Sequence, residues 1–182
     1  MEIIIQILIT MAFSAFFSGM EIAFVSSNKL RFEMDRNEQS ITSRILSIFY
    51  QNPNNFISTL LVGNNIALVI YGILMAELIE QQLLADYISN EFLLVLTQTI
   101  ISTLIILVTG EFIPKTLFKI NPNFTLSLFA IPSFICYIVL YPISKFASGI
   151  SGILLRLTGT KVNKEASAKA FTKVDLDHFI QS

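Results

Sequence analysis

A chain of 182 residues that is 53% hydrophobic and only 14% charged falls well short of the charge a water-soluble domain carries, about a quarter of its residues. Its mean hydropathy of +0.68 and net charge of −1 exclude a nucleic-acid-binding domain, which needs a basic patch. The single cysteine, Cys136, cannot form an internal disulfide; in its apolar run it is a small buried or lipid-facing hydrophobe.

The first apolar run, residues 3–25, is interrupted by Ser14, Ser18 and Glu21. It opens on Met1-Glu2 without a basic leader region and is too long for a signal-peptide core, so it is expected to be a retained span. Residues 28–50 mix Leu30, Met34, Ile41, Ile45, Ile48 and Phe49 with charges and predict short amphipathic helices at the membrane surface. Asn52-Pro53-Asn54 is a turn that places proline in the first turn of the next helix. The second span covers residues 56–79, with Gly63-Asn64-Asn65 inside it, and the third covers 92 to about 117, with Gly110-Glu111 and Pro114-Lys115. Each reaches the roughly 20 residues that cross about 30 Å of hydrocarbon. Sixteen Phe and no Trp suit a lipid-facing surface and leave the interfacial belt to Tyr and Phe.

Lysine and arginine set the orientation. Lys29, Arg31, Arg36 and Arg44 make the first connection cytoplasmic, whereas Glu77, Glu80, Asp86 and Glu91 leave the second outside. Lys115 and Lys119 return the chain to the cytoplasm, and the tail is basic at Lys145, Arg156, Lys161, Lys164, Lys169 and Lys173. A fourth apolar run, 124–143, therefore has basic residues on both flanks, so a re-entrant or juxtamembrane belt bent at Pro132 fits better than a crossing. The expected fold is all-α and integral to the membrane: three transmembrane helices plus a proline-kinked belt helix, amino terminus outside and carboxyl terminus cytoplasmic. The last eleven residues, with His178, read as an amphipathic helix leading onward.

Ionisable groups inside spans are expensive and mark functional positions. Ser14, Ser18 and Glu21 share one face of the first helix, and Gly19 beside them admits a close neighbour; small-residue helix packing accounts for the same pattern. Asn64 and Asn65, after Gly63, serve either as hydrogen-bonding glue between helices or as oxygen ligands. In Gly110-Glu111-Phe112-Ile113-Pro114-Lys115, Pro114 has no N–H to give the carbonyl of Gly110, which is left beside the Glu111 carboxylate. A cation would satisfy both; a Glu111–Lys115 pair four residues apart is the structural alternative. The donors on offer are all oxygens, which favours Mg²⁺, Ca²⁺ or Na⁺ over zinc or copper. A Ser18–Lys115 hydrolase has residue type alone in its favour, and no catalytic constellation assembles, so no enzymatic activity is expected.

Three stretches, Phe17-Ser18-Gly19-Met20-Glu21-Ile22-Ala23, Leu61-Val62-Gly63-Asn64-Asn65 and Gly110-Glu111-Phe112-Ile113-Pro114-Lys115-Thr116-Leu117, fall one per span. Together they resemble the transmembrane domain of the CNNM/CorC (cyclin M) family of magnesium transport proteins. The resemblance covers 1–160, with 161–182 as a cytosolic linker toward CBS nucleotide-binding domains that family members usually carry. It implies homodimers in the inner (plasma) membrane that bind dehydrated Mg²⁺ and exchange it against Na⁺. The ligands it implies are Ser18, Asn64 or Asn65, the Gly110 carbonyl and Glu111, supported by Ser14, Gly19, Glu21, Gly63, Pro114 and Lys115. Many relatives carry a further asparagine where this chain has Ala67-Leu68, which depletes the implied site. A non-transporting membrane scaffold, such as the branch associated with gliding motility, is therefore the alternative.

Overall fold

The computed structural model describes residues 2–30, 32, 40–79 and 90–157, with side chains through residue 150 apart from 148. The acidic stretch at Glu80 and Asp86, the charged positions Arg31 and Arg36, and the linker 161–182 with His178 lie outside the described residues. What is described is helical, with no strand among the described residues. In lipid this is the expected solution, because a helix satisfies its own backbone polar groups.

In chain order the helices are α1 (Glu2–Ser26), α2 (Ile41–Gln51), α3 (Pro53–Ile79) and α4 (Glu91–Ile106). The last continues through a π-helical turn (Leu107–Phe112) into α5 (Ile113–Ile120), followed by α6 (Pro122–Leu128) and α7 (Ala130–Leu157). Sequence dictates most of the boundaries. Residues preceding proline are pushed out of the helical region. Asn52 before Pro53 (φ −130°, ψ 62°) and Asn121 before Pro122 (φ −134°, ψ 72°) adopt nearly the same break. The Asn90 side chain accepts hydrogen bonds from the N–H groups of Phe92 (3.0 Å) and Leu93 (3.3 Å), capping α4.

Among the described residues four stretches are long and apolar enough to cross a membrane: Glu2–Ser26, Pro53–Ile79, Glu91–Ile120 and Ala130–Ala147. The first three match the expected spans; the fourth differs from the expected bent belt. The chain turns at Phe129 (φ −97°, ψ 12°), one turn before Pro132. Pro132 then falls in the first turn of α7, three residues after the break, where it offers no N–H. Pro142, inside α7, is the residue that removes a helical hydrogen bond.

Two apolar cores form. One gathers Phe17, Met20, Phe24, Phe49, Phe56 and Leu60 where α1 ends and α2 and α3 meet. Phe49 stacks on Phe56 with ring centroids 3.8 Å apart, and Phe24 meets Phe56 edge-on at 4.9 Å, which clamps α2 to both spans. Tyr50 Oη donates to Ser27 Oγ at 2.7 Å in the same region. The other core joins Ile7, Tyr71, Met75, Ile79 and Ile106 near the opposite ends of the spans. There Tyr71 Oη donates to the Ser102 carbonyl at 3.0 Å and ties α3 to α4. Along α1 and α3, Ser14 and Asn64 occupy the interval between the two cores.

Candidate cation site

Thr10, Ser14 and Ser18 recur every four residues along α1 and are all buried. Each hydroxyl meets a different fate. Thr10 Oγ1 donates back to the Ile7 carbonyl of its own helix at 2.8 Å. Ser14 Oγ donates to Asn64 Oδ1 at 2.8 Å and so bridges α1 and α3. Ser18, 0% exposed, has no hydrogen-bond partner for its Oγ among the described residues. A buried hydroxyl left unpaired costs about 1–3 kcal/mol.

The third wall is the π turn. Ile113 N–H donates to the Val108 carbonyl, five residues back rather than four. Such a turn inserts one extra residue into the helix and recurs at functional sites. Gly110 lies buried within it, and a Cβ there would stand 3.2 Å from Ser14 Oγ and 2.7 Å from Ile106 Cδ1. Hence the Ser14 hydroxyl touches both Asn64 and the Gly110 backbone. The helix is distorted at this point but continues as α5, with the buried Pro114 in its first turn.

Around this junction Glu111 and Lys115 are each half-buried, and no ion pair joins them among the described residues. Glu21 is half-buried near the end of α1, whereas Asn65 is exposed on the outer face of α3. Gly63 lets the Phe17 ring approach, since a Cβ there would lie 2.6 Å from Phe17 Cζ. At Gly19 the close neighbour is a side chain rather than a backbone: the Phe118 ring, 2.7 Å from a Cβ position. Leu68, one turn beyond Asn64, packs against the core of Ile7 and Tyr71. Among the described residues no group of three or more His, Cys, Asp or Glu comes together. The donor set is therefore neutral oxygen plus at most a lone carboxylate, the chemistry of a hard cation.

Residues 4–182 match the family profile of the cyclin M transmembrane N-terminal domain, CNNM. This chain belongs to the CNNM family. The relatives it matches include a UPF0053 protein, the MG146 homolog of Mycoplasma pneumoniae, 29% identical over 150 residues. UPF0053 protein MG146 of Mycoplasma genitalium is 27% identical over 150 residues. In both cases the match covers 80% of this chain and 34% of the relative, so the CNNM chain described here spans about a third of the curated relatives' length.

A concavity of the CNNM domain lies elsewhere. A groove of about 550 Å³ opens between α2 and α6, lined by Ser43, Tyr50, Asn123, Ser127 and Leu126 among others. It is distinct from the Ser14–Asn64–Gly110 junction, whose interior is closely packed. Within the junction, Ser14 is the residue whose importance the sequence understated. Its four-residue spacing to Ser18 put it on the right face, but the partner 50 residues away was not legible.

Proposed function

We propose that this CNNM domain carries Mg²⁺ across the membrane, binding it between α1, α3 and the π turn and exchanging it for Na⁺. Support comes chiefly from one observation: a fully buried, unpartnered Ser18 hydroxyl one turn from the Ser14–Asn64 bond and the Gly110 backbone. The ligands in this account are Ser18 Oγ, Asn64 Oδ1, the Gly110 carbonyl and Glu111. Asn64 is preferred to Asn65 because it is 8% exposed and faces α1, whereas Asn65 lies on the outer surface. Pro114 cannot donate to the Gly110 carbonyl, so that oxygen keeps a lone pair for the ion. Glu111 supplies negative charge that offsets part of the ion's dehydration cost, and half-burial leaves it room to respond as the ion arrives.

Mg²⁺ demands near-octahedral coordination at 2.0–2.1 Å and commonly retains several waters. The four protein oxygens supply most of such a shell. The same oxygens suit Na⁺, in keeping with exchange at one site. The full assembly is a homodimer with cytosolic CBS domains, the amino terminus outside and the carboxyl terminus cytoplasmic. A second account is a non-transporting scaffold, and Leu68, apolar where many relatives carry asparagine, is the observation in its favour.

Titration calorimetry of the purified protein with Mg²⁺, with Ca²⁺ and Na⁺ as competitors, separates the two. Saturable Mg²⁺ binding that disappears in Glu111→Gln is expected. A folded wild type that binds no Mg²⁺ would favour the scaffold.

A further inference from the structure

Ser14 is not among the proposed ligands, yet it makes the hydrogen bond that joins two walls of the site. We infer that Ser14 is a positioning residue that fixes which end of the Asn64 amide faces the ion and so sets the preference for Mg²⁺ over Ca²⁺. The inference rests on the cation-binding account given above.

An asparagine amide has two ends of nearly equal size and opposite use to a cation: a carbonyl oxygen with two lone pairs, and an NH₂ that carries only donors. Packing alone distinguishes them poorly. At Asn64 the oxygen is the end turned to α1: a serine hydroxyl can donate or accept, and Ser14 Oγ donates to Oδ1 at 2.8 Å. That bond occupies one lone pair of Oδ1 and leaves the second for an ion. It also holds the oxygen toward α1 and the π turn, since Ser14 Oγ lies beside Gly110. Ser14 itself is 0% exposed, so water does not compete for the role.

Without the hydroxyl, the amide is free to turn its NH₂ toward the site. Mg²⁺, held to short distances and octahedral angles, loses most from a ligand that is present only part of the time. Ca²⁺ accepts six to eight oxygens in flexible geometry and substitutes a water at lower cost. The lost bond therefore narrows the discrimination between the two ions as well as weakening binding. A purely structural role for Ser14 would weaken both ions together.

Thr10 provides the control. It lies one turn away on the same face of α1, but its hydroxyl is bonded within its own helix.

Mg²⁺ and Ca²⁺ titrations of wild type, Ser14→Ala and Thr10→Val, each with a thermal unfolding scan, test the inference. Ser14→Ala is expected to bind Mg²⁺ about 10–100-fold more weakly, the range for loss of a ligand-orienting partner, with Ca²⁺ affinity changed by less than about threefold. Thr10→Val is expected to match the wild type for both ions. Ser14→Cys keeps the size and weakens the donor; it carries the same expectation at smaller amplitude where the alanine variant does not fold. Equal losses for Mg²⁺ and Ca²⁺, or unchanged Mg²⁺ affinity in a folded Ser14 variant, overturn this inference and leave the cation site standing. A wild type that binds neither ion overturns both.

Discussion

Gly63 sits where the Phe17 ring and Leu140 converge, and a Cβ there would lie 2.6 Å from Phe17 Cζ and 2.9 Å from Leu140 Cδ1. Phe17 is itself 6% exposed and cannot swing away without opening the core. Gly63→Ala is therefore expected to destabilise the protein by about 1–3 kcal/mol, the usual cost of overpacking. Gly72 lies on the same helix with nothing within 4 Å of its Cβ position, so Gly72→Ala is expected to leave the unfolding temperature unchanged or slightly raised. Thermal melts followed by circular dichroism, compared between the two variants, check the pair. At this scale the sequence was informative about residue type and silent about direction. Asn64 and Asn65 are chemically identical neighbours, and only the rotation of α3 against α1 turns the first inward and the second out. The Ser14–Asn64 bond depends on that same rotation. By contrast, that Pro114 cannot donate to the Gly110 carbonyl follows from covalent structure alone, because proline has no N–H wherever it occurs.

Among the elements, α1, α3 and the third span were legible because an apolar run of 20 or more residues has few other uses. The start of α3 was legible from Asn52-Pro53, a local steric rule. The π turn was not: Gly110 and Pro114 announce a distortion, but whether the helix breaks or absorbs one extra residue depends on how it packs on α1. At the α6–α7 junction the chain turns at Phe129, three residues before Pro132, so the proline marks the turn to within one helical turn but not the long helix that follows it. From Phe134 beside Phe49, through Tyr137 beside Phe56, to Leu140 beside Gly63, α7 advances from α2 alongside the first part of α3. At 1.5 Å per residue its 28 residues extend about 42 Å, long enough to cross, so length and charge argue in opposite directions. The basic residues flanking α6–α7, Lys119 before it and Lys145 within it, are the charge pattern of a segment with both flanks on one side. The expected result is that a reporter fused after Ser182 is cytoplasmic and one fused before Met1 is outside. Both reporters on the same side would establish a fourth crossing.

At the scale of the whole molecule, a polar layer at Ser14, Asn64 and Gly110 lies between two apolar cores, one built on stacked phenylalanines and the other on Tyr71 and Ile7. This arrangement explains how a membrane protein keeps oxygen donors at mid-depth without losing its fold. Each core holds the helices on one side of the layer, so the donors need not make every bond themselves. It also leaves α4 with Ile106 as its one buried residue among the described residues. The central claim is that this layer, with Glu111, carries Mg²⁺. Its most direct test is Mg²⁺ flux from proteoliposomes under an imposed Na⁺ gradient, wild type against Glu111→Gln. Sodium-dependent flux in the wild type and none in a correctly folded Glu111→Gln is the predicted result; equal flux in both, or none in the wild type, would contradict it.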